Sequence, residues 1–147
     1  MTTEYLLDTN VCIAIRDLLT GKPGKPGQQE KLDRVKARWS KVDKAHVAMS
    51  TVTLGELRFG VEKSRNVVEA ERRLALLEAA VQTLDLDGPT SRHYGVLRHA
   101  LEASGRKIGP NDTWIAAHGL RTGRTVVTNN LGEFQRVHGL TVEDWTA

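Results

Sequence analysis

Several large classes of protein are excluded by what this sequence has little of. It contains one cysteine, Cys12, so it can form neither an internal disulfide nor a multi-cysteine zinc site. No stretch approaches the ~18 apolar residues that a membrane-spanning helix requires. The N-terminus, Met1-Thr2-Thr3-Glu4, lacks the basic and apolar regions of a secretory signal, so the expectation is an intracellular, cytoplasmic protein. An excess of one charge is also lacking. The chain has 21 Lys and Arg against 18 Asp and Glu, a net of +3, which alone barely favours nucleic acid over any other partner. Proline is rare too, and two of the four fall in Gly21-Lys22-Pro23-Gly24-Lys25-Pro26-Gly27. That patch reads as a surface loop within one domain.

What remains is ordinary globular material. The 147 residues are 39% apolar and 27% charged, enough to bury the core of a single domain spanning 1–147, with the loop at 21–29 as an excursion. Tyr5-Leu6-Leu7 reads as a buried strand, followed by a helix from Thr9 to about Leu19. Leu32, Val35, Trp39 and Val42 recur at three and four, which predicts a helix from Glu30 to Lys44. A strand over 46–50 and a helix from Thr53 to Lys63 follow. The apolar spacing from Val67 to Leu84 predicts one long helix, with a short strand over Leu84–Asp87. Further helices are expected from Gly88 and from Pro110 to Leu120, the latter closed by Gly123. Thr125–Thr128 is a β-branched strand, and Leu140–Trp145 a final edge strand. Short apolar strands alternating with helices predict an α/β fold: a mainly parallel sheet covered by helices on both faces. Ligands of such sheets bind beyond the carboxyl ends of the strands.

Four acids fall at that end. Asp8 follows the first strand, Glu56 lies in the first turn of the helix after the second, and Asp112 opens the helix before the last core strand. Glu133 comes five residues after Thr128. Each has a plain structural explanation as well. Asp8 would cap a helix, Thr53-Leu54-Gly55-Glu56 matches a capping box, Asp112 suits a helix N-terminus, and Glu133 would sit on the surface. Taken together they mean more, because converging carboxylates repel and need a cation. A site of oxygen ligands alone suits Mg²⁺ or Mn²⁺. Thr9, Asn10, Thr128 and Asn130 flank these acids as auxiliary polar groups, with helix caps and turns as the alternative. Between Lys22 and Lys44, eight basic residues and three acids give +5. Lys22, Lys25, Lys31, Arg34, Arg38 and Lys41 are thus either contacts to an RNA backbone or one solvated helix face. Trp39, Trp114 and Trp145 read as core, and Cys12 as buried and inert.

The motifs resemble a known family. Leu7-Asp8-Thr9-Asn10 and the run Ser50 to Gly60 (STVTLGELRFG) are similar to the first two motifs of PIN-domain nucleases. Ile108-Gly109-Pro110-Asn111-Asp112-Thr113-Trp114-Ile115-Ala116-Ala117-His118 is similar to the third. Val126 to Val137 (VVTNNLGEFQRV) and Gly139 to Trp145 (GLTVEDW) resemble the fourth motif and tail of VapC toxins. The likeness runs in order over nearly the whole chain. It departs at the long segment between Leu19 and Glu30 and at His138, where proline is common.

The resemblance implies a PIN-like three-layer α/β/α sandwich and an Mg²⁺- or Mn²⁺-dependent endoribonuclease, the toxin of a type II toxin–antitoxin pair. It assigns the metal to Asp8, Glu56, Asp112 and Glu133, with Asn130 the alternative at the fourth position. It further implies attack by water leaving 5′-phosphate ends, a tRNA or other structured RNA as substrate, a VapB-type antitoxin and a homodimer. A route through paired histidines is disfavoured, since His93 and His99 face different ways on one helix. The competing readings are a PIN-domain nuclease of RNA processing and a non-catalytic α/β binding module.

Overall fold

In the computed structural model, which describes residues 2–147, five strands form one sheet: β1 (Tyr5–Leu7), β2 (Val47–Ser50), β3 (Gln82–Leu84), β4 (Thr125–Val127) and β5 (Val142–Glu143). All the pairings are parallel, in the order β3-β2-β1-β4-β5. The helices are α1 (Thr9–Thr20), α2 (Gln29–Lys41), α3 (Thr51–Glu62), α4 (Val67–Ala80), α5 (Gly88–Ala103), α6 (Pro110–Thr122) and α7 (Leu131–Phe134).

The sheet is apolar on both faces, as the strands' continuous hydrophobicity predicts. Leu7, Met49 and Val127 enter one core with Ile15, Leu77 and Trp145. Leu6, Ala48 and Val126 enter the other with Ile115, Leu97 and Phe134. Helices therefore cover both sides, giving the expected three layers.

Local chemistry sets most of the boundaries. The Asp8 side chain caps α1, and Gly21 ends it at φ 71°, as Gly123 ends α6 at φ 66°. Both glycines occupy the left-handed conformation that a side chain would strain.

Four expectations need correction. The second helix ends at Lys41, because Val42 is extended and the Lys44 ammonium takes the carbonyls of Trp39 and Val42. The third begins at Thr51 and is capped by Ser50, whose Oγ accepts the Val52 N–H at 3.2 Å. The predicted capping box at Thr53 is therefore absent, and Glu56 lies in the second turn. The long helix stops at Ala80, and the strand after it is Gln82–Leu84 rather than 84–87. The free edge of β2 draws residues 82–84 into main-chain pairing, an attraction invisible to side-chain periodicity. Finally, the last strand shrinks to Val142–Glu143, and α7 is too short to show any period.

Candidate active site

With every strand parallel, their carboxyl ends share one edge. Between β1 and β4 the chain order reverses, and a crevice opens there. Asp8 and Thr128, the residues that follow these two strands, meet in it. The Asp8 N–H donates to the Val127 carbonyl at 2.9 Å. Its carboxylate, only 4% exposed, accepts the Thr9 N–H at 2.7 Å on Oδ1 and the Thr128 hydroxyl at 2.8 Å on Oδ2. Asp8 thus caps α1 while standing at the strand ends beside the other acids, so the two readings of it are compatible.

Glu56 points the same way. Its Oε1 accepts the Thr9 hydroxyl at 3.1 Å, so Thr9 bridges Asp8 and Glu56 through its two donors. On the far side Asn130 performs a similar task. Its Nδ2 donates to Glu133 Oε2 at 3.1 Å and, more weakly, to Asp112 Oδ2 at 3.4 Å. The Asn130 N–H in turn donates to the Thr128 hydroxyl oxygen at 2.9 Å. Four acids from four segments are thereby joined into two bridged pairs, Asp8 with Glu56 and Asp112 with Glu133. Asn10 is exposed and takes no part in this network.

The electrostatics of the four are unusual. Among the described residues none of them has a cationic side chain within salt-bridge distance, whereas acids elsewhere pair with arginine. Burial raises the pKa of Asp8, against the lowering effect of Thr128 and Thr9. Burial, the hydrogen bond shared with Glu133, and the charges of Asp8, Glu133 and Glu56 push Asp112 up to about 8. At neutral pH the cluster therefore holds an extra proton in place of a cation. No three carboxylates among the described residues stand close enough to hold one ion as the side chains lie. The donor set nevertheless fits a divalent cation: hard oxygen ligands, no compensating positive charge, and a proton available for exchange.

A stability test follows. Asp112 titrates near its ordinary 3.8 when unfolded and at about 8 when folded. Between those values the folded chain keeps a proton that the unfolded chain releases, so stability falls as pH rises through that window. Melting of EDTA-treated protein is expected at progressively lower temperature from about pH 4 to about pH 8. Asp112→Asn should flatten that slope, and an unchanged slope in the variant would refute the assignment.

The basic segment is divided by the fold. Arg34 donates to the Thr146 carbonyl at 3.1 Å and Arg38 pairs with Glu143, so both fasten α2 to the C-terminal tail. Lys22, Lys25 and Lys31 line a groove between α1 and α2 that reaches Asn10 and Asn129. Lys41 is exposed and has no hydrogen-bond or salt-bridge partner among the described residues. Cys12 is fully buried with its thiol pKa raised. Trp39 and Trp145 are core residues, while Trp114 is half-buried, its ring stacked 3.8 Å from that of Tyr94. His118, buried and hydrogen-bonded to Ser50 at 2.9 Å, is structural. One residue not singled out by its sequence pattern borders the site: Arg16, on the α1 face that carries Thr9.

Comparison with known proteins agrees with this geometry. Residues 5–140 match the PIN domain. The chain is 37% identical to the tRNA(fMet)-specific endonuclease VapC of Shigella flexneri over 97% of its own length and 98% of the relative's. It superimposes on the structure of VapBC-1 from nontypeable Haemophilus influenzae with a TM-score of 0.82, at 33% identity, covering 99% of this chain and 100% of that one. VapBC2 from Rickettsia felis, bound to a DNA fragment from its promoter, gives 0.82 at 30% identity, covering 97% and 99%. The chain belongs to the PIN-domain family, among the VapC ribonucleases.

Proposed function

We propose that this chain, acting as one domain over 1–147, is an endoribonuclease toxin that hydrolyses phosphodiester bonds in tRNA or another structured RNA. The observation that carries the reading is the cluster of four acids at the strand-end crevice with no protein cation to balance it. Asp8 and Asp112 would bind Mg²⁺ or Mn²⁺ directly, and Glu56 and Glu133 directly or through water. A divalent ion held by these acids would supply Lewis-acid polarisation of the phosphoryl group and a more acidic water.

The chain's own residues orient the ligands. Thr9 and Thr128 fix both oxygens of Asp8, and Asn130 holds Glu133 and Asp112 in register. Such supporting contacts are typically worth 10–100-fold in metal affinity or activity. Water attacking the phosphorus would break the P–O3′ bond, leaving a 5′-phosphate on one fragment and a 3′-hydroxyl on the other. His118, packed against Ser50, is withheld from the reaction.

The similar Haemophilus and Rickettsia structures are VapBC complexes, which supports a VapB-type antitoxin as partner; a homodimeric toxin acting in the cytoplasm belongs to the same proposal. No helix of the described residues is long and apolar enough to cross a membrane. Purified protein is expected to cut tRNA with Mg²⁺ or Mn²⁺, to stop on EDTA addition, and to leave 5′-phosphate ends when the fragments are mapped. Cleavage that persists in EDTA, or 5′-hydroxyl ends, would contradict the mechanism.

A further inference from the structure

The Arg16 side chain is only 22% exposed, yet its guanidinium makes no hydrogen bond among the described residues. Its Nε is the one buried side-chain polar atom without a hydrogen-bond partner among the described residues. The nearest carboxylate, Asp17, lies 3.6 Å from Nη2, beyond hydrogen-bond distance, and is already held by Arg73 at 2.5 Å. Two guanidiniums thus share one carboxylate. Leaving the buried Nε of such a cation unpaired is costly, and an anion arriving with a ligand would offset that cost.

Its position says which ligand. Thr9, Ile13 and Arg16 lie on one face of α1, spaced four and three apart. That face lines a groove between α1, α3 and α4 whose other walls carry Glu56, Phe59, Lys63 and Arg73. The groove starts at the acid cluster, through Thr9 and Glu56. Seven residues of helix carry Arg16 ~10 Å from Thr9, about three stacked nucleotides at 3.4 Å each. Phe59 is 65% exposed, and the Lys63 ammonium lies 5.0 Å from its ring centre. A cationic groove with an accessible aromatic face is the chemistry that holds single-stranded nucleic acid: cations follow the backbone and a ring stacks a base. Ile13, Leu57, Val61 and Ala70 add apolar wall to the groove, but the unpaired Arg16 Nε beside Lys63 and Arg73 calls for an anion, which an RNA backbone carries at every nucleotide.

We propose that this groove seats the single-stranded RNA flanking the bond to be cut, with Arg16 binding a backbone phosphate. The assignment rests on the nuclease reading above. It is tested with a fluorescent single-stranded oligoribonucleotide and full-length protein carrying Asp8→Asn, so that the RNA stays intact. Adding Arg16→Gln is expected to weaken binding about tenfold or more. It should also make the slope of log affinity against log salt shallower by about 0.7, the loss of one phosphate contact to a single strand. Adding Arg16→Lys instead keeps the charge and should restore the slope, which separates phosphate binding from mere packing.

Equal affinity and slope with Arg16→Gln would return the groove to a protein partner and overturn the proposal. So would weaker binding with an unchanged slope, or no RNA binding by either protein. Cleavage by the parent protein is scored separately. A parent that cuts RNA beside an Arg16→Gln chain that binds normally removes this subsite and leaves the nuclease standing.

Discussion

Asp8→Asn is expected to lower RNA cleavage by at least about 10²-fold while leaving the fold intact. The asparagine is isosteric and keeps an acceptor for the Thr9 N–H, so α1 remains capped. It removes a charge that burial already disfavours. The variant should therefore melt at the same temperature as the parent or above it, a common relation between stability and activity at a functional site. Asp112→Asn should behave alike, since it removes a carboxyl that burial, and then its acidic neighbours, raise to about 8. Cleavage rates and melting curves measured on one preparation decide the matter. If both variants cut RNA as fast as the parent, the cluster is not the reaction centre. If they lose activity because they unfold, the acids are structural.

Trp145→Ala should cost about 3–5 kcal/mol of folding stability, among the largest effects of a single substitution in this chain. The residue stands two places from the C-terminus yet is 0% exposed. Its ring meets Tyr5 of β1 edge-on, with centroids 5.4 Å apart, and its Nε1–H donates to Glu143 at 3.3 Å. Glu143 in turn pairs with Arg38 of α2, whose guanidinium carbon lies 6.0 Å from the Trp145 ring. Truncation leaves a cavity beneath β1, the strand that leads into Asp8, and frees α2 from the tail. Domains of this size are typically stable by only about 5–15 kcal/mol, so the loss is a large fraction of the total. Urea unfolding provides the measurement. A midpoint shift equivalent to less than about 1 kcal/mol would mean that the tail packs only loosely.

The capping-box reading of Glu56 shows where local pattern fails. Thr53-x-x-Glu56 has the right spacing, but Ser50, two residues past Ala48 in the core strand, takes the cap because β2 ends there. Thr53 is then buried, and Glu56 is turned toward Thr9 from 47 residues away. The basic run from Lys22 to Lys44 fails in the opposite direction. It looks uniform along the chain, but Glu143 and the Thr146 carbonyl arrive from the C-terminus and remove Arg38 and Arg34 from it. Arg16 carried no signal at all. An isolated arginine on a helix becomes noteworthy only when the packing of α4 and Asp17 leaves it without an acceptor.

The succession of strands and of the six longer helices, the burial of both sheet faces, and the chain positions of the four acids were all determined by sequence. Each is a property of residues close together in the chain: apolar runs, caps, and an acid placed beside a strand end. Tertiary structure alone decided where the fourth helix yields to β3, which basic residues remain free, and how Thr9, Thr128 and Asn130 bridge the acids. Those outcomes depend on contacts between residues up to 120 positions apart, Thr128 to Asp8 being one. Their energies exist only once the chain has folded, so no local pattern encodes them.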